Sequence, residues 1–213
     1  MTTIDLDVVE IKHGSHSKPE DGACVMEWVS IFAGLPFGDH PECTDPVVAQ
    51  YARSLNDAMP DDQRWRLRPF IPQLAATKNG CPPAKRALLC ADYAVRVFAV
   101  AALKDAGLDE WADRLAALEP ITTSDAASAA AWAAWAARAA AWDARAAAWD
   151  AARAAWDAAR AASDAARAAS DAASAASAAS AAARAARAAA WDAASDPWMQ
   201  PLELLAALIA LKE

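Results

Sequence analysis

From Trp135 onward, the pattern of aromatic, polar and methyl side chains repeats every seven residues. Trp135, Trp142, Trp149 and Trp156 are followed in register by Ser163, Ser170, Ser177, Arg184 and Trp191. The clearest units are W-D-A-A-R-A-A at 149–155 and 156–162, and S-D-A-A-R-A-A at 163–169. The surrounding stretch, 124–195, is 72 residues long with 44 Ala and neither Gly nor Pro. Ala is the strongest helix former, so the whole stretch is expected to be helical. Nothing in it marks a turn. The first expectation is one helix, about 108 Å long at ~1.5 Å per residue, and a helical hairpin or coiled coil is the alternative. At about 100° per residue, Trp sits near 0°, Arg near 40° and Asp near 100°. The four Ala positions fill the remaining arc. One face is therefore aromatic and charged, and the other is bare methyl groups. Asp150–Arg153 and Arg153–Asp157 have the spacing of helix ion pairs. Trp149–Arg153 and Trp156–Arg160 have that of cation–π pairs.

The flanking sequence gives other patterns. Ile4, Leu6 and Val8 alternate with polar residues, as in a short strand or an extended arm, and 13–22 reads as a loop. Val25, Met26, Val29 and Phe32 have helical spacing, closed by Gly34 and Pro36. Asp45-Pro46 is a helix start, because Asp caps and Pro suits the first turn. Pro60-Asp61-Asp62 opens a further segment through Trp65 and Leu67, interrupted near Pro69 and Pro72. A long helix follows from Pro82 or Pro83 to about Asp105, then one from Leu108 to Leu118. Thr122, Thr123 or Ser124 caps the Ala-rich stretch, and Asp196-Pro197 ends it. The tail carries Leu202, Leu204, Leu205, Leu208 and Ile209 and is expected to be a helix that needs covering. The fold class is all-α. The expected organisation is an N-terminal helical domain at 1–120, an Ala-rich heptad-repeat helix at 121–196 and an apolar C-terminal helix at 197–213. The large side chains of 1–120 and the tail are expected to form the core.

Net charge is −8 for the chain, with no basic stripe, which argues against nucleic-acid and anionic-membrane partners. Met1 to Glu10 has no signal-peptide pattern, and the four Cys read as reduced thiols in a cytoplasmic setting. One cluster suggests chemistry. His13-x-x-His16, Cys24 and His40-x-x-Cys43 contain all three His of the chain, and their short spacers match zinc-ligand pairs. These five are the candidate metal ligands, with zinc as the candidate cofactor. The alternative leaves Cys24 and Cys43 as small buried residues and the His residues solvated. Glu27 is either a helix-capping or solvent-facing carboxylate, or a buried one serving as ligand or base. Cys81 and Cys90 read as buried helix residues, and Asp61-Asp62 as a helix start. No catalytic residue is assigned, since no phosphate loop or nucleophile motif is present.

The set C24-x-M26-E27, D39-H40-P41-x-C43, R53-S54-L55-N56-D57, P60-D61-D62 and R68-P69-F70-I71-P72 resembles a group of actinobacterial and actinophage proteins over roughly residues 10–120. Ala-rich W-D-A-A-R tails occur in the same group. The resemblance implies that host class and a cytoplasmic location, and it brings no activity with it. His13 and His16 lie outside these motifs. The sequence thus points to a non-enzymatic interaction or assembly protein, acting through self-association or a protein partner at 124–195. The alternative is a zinc-stabilised module or metal-dependent enzyme at 13–43.

Overall fold

The structure, a computed structural model, describes residues 4–143, 149–168, 172–190 and 196–212. Among them there is no strand. The alternation at 4–11 is an extended arm with a turn, which buries Val9 and Ile11. It is tied down by Trp28 Nε1, which donates to the Glu10 carbonyl at 2.9 Å.

Local punctuation sets the N-terminal helices. Helix α1 (Val25–Ala33) begins where the Cys24 N–H donates to the Glu27 carboxylate at 2.7 Å, and ends at Gly34, whose φ of 68° suits a residue without a Cβ. Helix α2 (Pro46–Ala58) starts under the Asp45 carboxylate, which accepts the Val47 and Val48 N–H groups at 2.9 and 3.2 Å. The interrupted segment is a 3₁₀ stretch, Arg64–Phe70, running into α3 (Ile71–Leu74). The long helix comprises α4 (Pro83–Tyr93), a π-helical stretch at Ala94–Ala99 and α5 (Val100–Asp105). Helix α6 spans Asp109–Ala116.

The Ala-rich stretch is not one long helix. It forms α7 (Ser124–Asp143), α8 (Trp149–Arg167) and α9 (Ala172–Ala190). Thr123 Oγ1 accepts the Ala126 N–H at 3.1 Å at the start of α7. Asp157 and Asp164 of α8 meet Arg184 and Ser177 of α9, so these helices run antiparallel. Residues 128–135 of α7 lie beside 163–166, and Arg138 lies beside 149–156, so α7 and α8 are antiparallel as well. The physical reason is the methyl face. An isolated straight helix leaves it in water, while folding back buries nine alanines of α8 alone: 151, 152, 154, 155, 158, 159, 161, 162 and 165. Each is worth on the order of 0.8 kcal/mol. An interruption gives up a few backbone hydrogen bonds at about 0.5–1.5 kcal/mol each. Helix propensity is nearly the same for either arrangement, so packing decides.

Helix α9 lies on α2 and α4, and α8 lies on α4 and the π-helical stretch. Gln50 of α2 donates to Ser180 Oγ of α9 at 2.8 Å. The core is therefore continuous from Val25, Tyr51 and Phe98 into Ala158 and Ala182. This corrects the expectation that large side chains alone would build it. Helix α10 (Met199–Ala210) covers one end, where the buried Tyr51 hydroxyl donates to the Pro201 carbonyl at 3.1 Å. No described helix is long and apolar enough to cross a membrane.

Arg86 locks this end and is fully buried. Its guanidinium reaches Asp45 Oδ2 at 2.7 Å, the Thr77 carbonyl at 2.9 Å and Asn79 Oδ1 at 3.0 Å. It also reaches the Leu208 and Leu211 carbonyls, at 3.4 and 3.3 Å, which lie at the end of α10 without helical partners. Asp45 thus caps α2 and neutralises Arg86 at once.

Candidate functional site

The sequence-predicted metal ligands do not converge. Glu27, fully buried, is the organiser of this region. Its carboxylate takes the His16 backbone N–H at 2.5 Å, His16 Nδ1 at 2.8 Å and the Cys24 N–H at 2.7 Å. Loop 13–22 is thereby pinned to the N-terminus of α1. Gly22 permits this approach: its φ is +119°, and a Cβ there would stand 2.8 Å from Lys12 Cγ and 3.2 Å from His16 Nε2. Thus only His16 and Cys24 of the five share a partner, and that partner is the carboxylate.

The others lie apart. His13 is exposed beside Gly14, whose N–H donates to Asp57 Oδ1 at 2.9 Å. His40 is exposed, with Nδ1 2.6 Å from Asp39 Oδ1. Cys43 is half-buried, with Sγ 3.9 Å from Thr44 Oγ1. Among the described residues, no group of three or more His, Cys, Asp or Glu side chains is placed to hold a metal ion. Burial pushes the Cys24 thiol up to about 12, the strongest of several opposing influences from Glu27 and the helix start. A thiol held protonated is a poor nucleophile. Burial also pushes the Cys90 thiol up. The His16–Glu27 pair therefore works as a clamp on the loop.

The other motif residues near it are structural as well. Asn56 accepts the Val25 N–H at 3.1 Å and donates to the Lys12 carbonyl at 3.0 Å. Arg53 donates to the Asp39 carbonyl at 2.7 Å. Arg64, only 4 % exposed, donates to the Asn56 and Met59 carbonyls at the end of α2.

The second candidate region is the outer face of α7 and α8. With the methyl arcs turned inward, Trp132, Trp135, Trp149 and Trp156 fall at the seam or outside it. Trp132 is 76 % exposed and Trp149 is 53 % exposed. Trp135 and Trp156 are half-buried, and each carries a guanidinium over its ring: Arg138 at 5.1 Å from the Trp135 centroid, and Arg160 at 5.7 Å from that of Trp156. Two crevices open along the seam. One, of about 280 Å³, is lined by Arg138, Trp149, Ala152, Arg153 and Trp156. The other, of about 340 Å³, is lined by Ser128, Ala131, Trp132, Trp135, Ser163 and Ala166. The heptad placed Trp149 and Trp156 but not Trp132, the most exposed of them, because Trp132 stands outside the repeat register. Its spacing of three from Trp135 on one helix face is the signal that marks it.

The charge ridge differs from the sequence expectation. Asp157 is only 2 % exposed and is taken by Arg184 Nε of α9 at 2.8 Å. Burial pushes its carboxyl up, and Arg184 acts against that shift. Arg160 and Asp164 lie 3.8 Å apart at i,i+4. Folding back has thus replaced part of an intrahelical ladder with a pair between helices.

No protein-family model, curated protein or solved structure matches this chain.

Proposed function

We propose that this is a non-enzymatic assembly protein that pairs with a second copy of itself through the outer face of α7 and α8. The observation that carries this reading is the exposure of Trp132 and Trp149 beside the two seam crevices. Exposed large aromatics beside apolar crevices mark an interaction surface. Trp and Arg are also the residue types that dominate interface energetics. The buried methyls of α8 and α9 are consumed within the chain, so the exposed surface of Trp132 and Trp149 is what the outer face presents. A Trp–Arg face is complementary to itself, because a guanidinium of one copy can stack on an indole of the other, as a two-fold interface requires.

Light scattering after size exclusion tests this. The expected mass of the wild type is twice the 22.3 kDa of one chain. Trp132→Ser combined with Trp149→Ser is expected to return a folded monomer, each substitution weakening association by roughly 30-fold. A wild type that stays monomeric at every concentration contradicts self-assembly. A double variant that remains dimeric contradicts this surface. Removing 124–195 is not a usable test, because α8 and α9 share the core with α2 and α4.

A further inference from the structure

A different crevice lies between α8 and α9. Its volume is about 350 Å³, and it is lined by Asp150, Arg153, Asp157, Arg184, Arg187 and Ala188. Three guanidiniums in one recess stand out on a chain of net charge −8. One of them is already taken, since Arg184 holds the nearly buried Asp157 at 2.8 Å. Arg153 and Arg187 are both exposed, and neither makes a hydrogen bond or ion pair among the described residues. The register explains why they converge. With Asp157 opposite Arg184 on antiparallel helices, position 153 falls opposite position 188, next to Arg187. Arg153 on α8 and Arg187 on α9 thus line the recess from its two helices, with the Arg184–Asp157 pair about one turn further along. The described lining holds three Arg against Asp150 and Asp157, so the described part keeps a net positive charge.

We propose that this crevice binds a phosphate group, either as free phosphate or as the phosphate of a small monoester, with Arg153 and Arg187 as its donors. Planar guanidinium forks match phosphate oxygens in pairs, and such charge-assisted bonds are the strong ones. A phosphate offers enough oxygens for two forks at once, whereas a carboxylate has only two. The recess has the volume of a small-molecule site rather than that of a bare anion. The organic part of a monoester fills the remainder, and its hydroxyl groups donate to Asp150. The proposal is independent of self-association. Arg153 also borders the aromatic crevice, but Arg187 lies on α9, outside the α7/α8 face.

Isothermal titration calorimetry of the full chain tests this, with inorganic phosphate and glycerol phosphate as separate titrants at fixed sodium chloride concentration. Saturable binding of one equivalent is expected for at least one of them. Equal affinities identify free phosphate as the ligand, and tighter binding of glycerol phosphate identifies a monoester. Arg187→Gln and Arg153→Gln, at exposed positions, are each expected to weaken binding by roughly tenfold or more with unchanged melting. The absence of saturable heat with both titrants overturns the proposal, as does wild-type affinity in Arg187→Gln.

Discussion

Arg86→Ala is expected to destabilise the protein by about 3–5 kcal/mol, the cost of breaking a buried ion pair from one side. At roughly 2–4 °C per kcal/mol for a chain of this size, the melting temperature falls by a wide margin. The loss has three parts. Asp45, 5 % exposed, is left with a buried charge and no counter-ion. The Thr77 carbonyl loses one of its two donors and keeps the Asn79 N–H. The Leu208 and Leu211 carbonyls at the end of α10 lose theirs as well, so α10 loosens from the body. Asp45→Asn removes the counter-ion while keeping an acceptor for the α2 cap, and is expected to cost less than Arg86→Ala. Denaturant unfolding of both variants checks the order. A cost under about 1 kcal/mol for Arg86→Ala would mean that water reaches this charge.

Ala158→Leu and Ala182→Leu are each expected to destabilise by about 1–3 kcal/mol, because they force extra methylenes into a packed layer. Both positions are fully buried, one on α8 and one on α9. The sign of the effect is informative. On an isolated straight helix the same changes are nearly neutral, since Leu and Ala have similar propensities. Equilibrium unfolding in urea measures the difference, and neutrality at both positions would remove the folded-back layer. Trp132→Ser, on the outer face, is expected to change association and to leave the urea midpoint in place.

The elements whose ends are written in local chemistry were legible in the sequence. Asp45-Pro46 starts α2, and Gly34 ends α1. The methyl face of the heptad was legible too, and it is the buried face. Its partner was not, because nothing in the W-D-A-A-R-A-A unit distinguishes water, another chain or its own neighbours as the surface to be met. Asp45 was legible as a cap, while its second role depends on Arg86, which tertiary packing alone brings to it. The His and Cys spacing depends on tertiary structure in the same way. Two-residue spacers describe ligand pairs only when the backbone turns both side chains to one point, and here Glu27 draws His16 inward while Asp39 holds His40 at the surface. For Glu27 the sequence leaves open a helix-capping or solvent-facing carboxylate and a buried one serving as ligand or base. It is a cap, and it is buried because the loop it pins lies over it.

The Ala-rich stretch folds back on itself, which turns the methyls of its described helices inward and leaves Trp132 and Trp149 exposed. Asp164 Oδ2 accepts from Ser177 Oγ at 2.5 Å across the α8–α9 seam. The most direct test is therefore Asp164→Cys with Ser177→Cys, oxidised mildly and read by mass spectrometry of cross-linked peptides. In a continuous helix these positions are separated by about 20 Å, far beyond the ~7 Å that a disulfide spans between Cα atoms. The folded-back layer predicts an intrachain disulfide in nearly every molecule, independent of protein concentration. Thiols that stay free, or that cross-link only between chains, would contradict it.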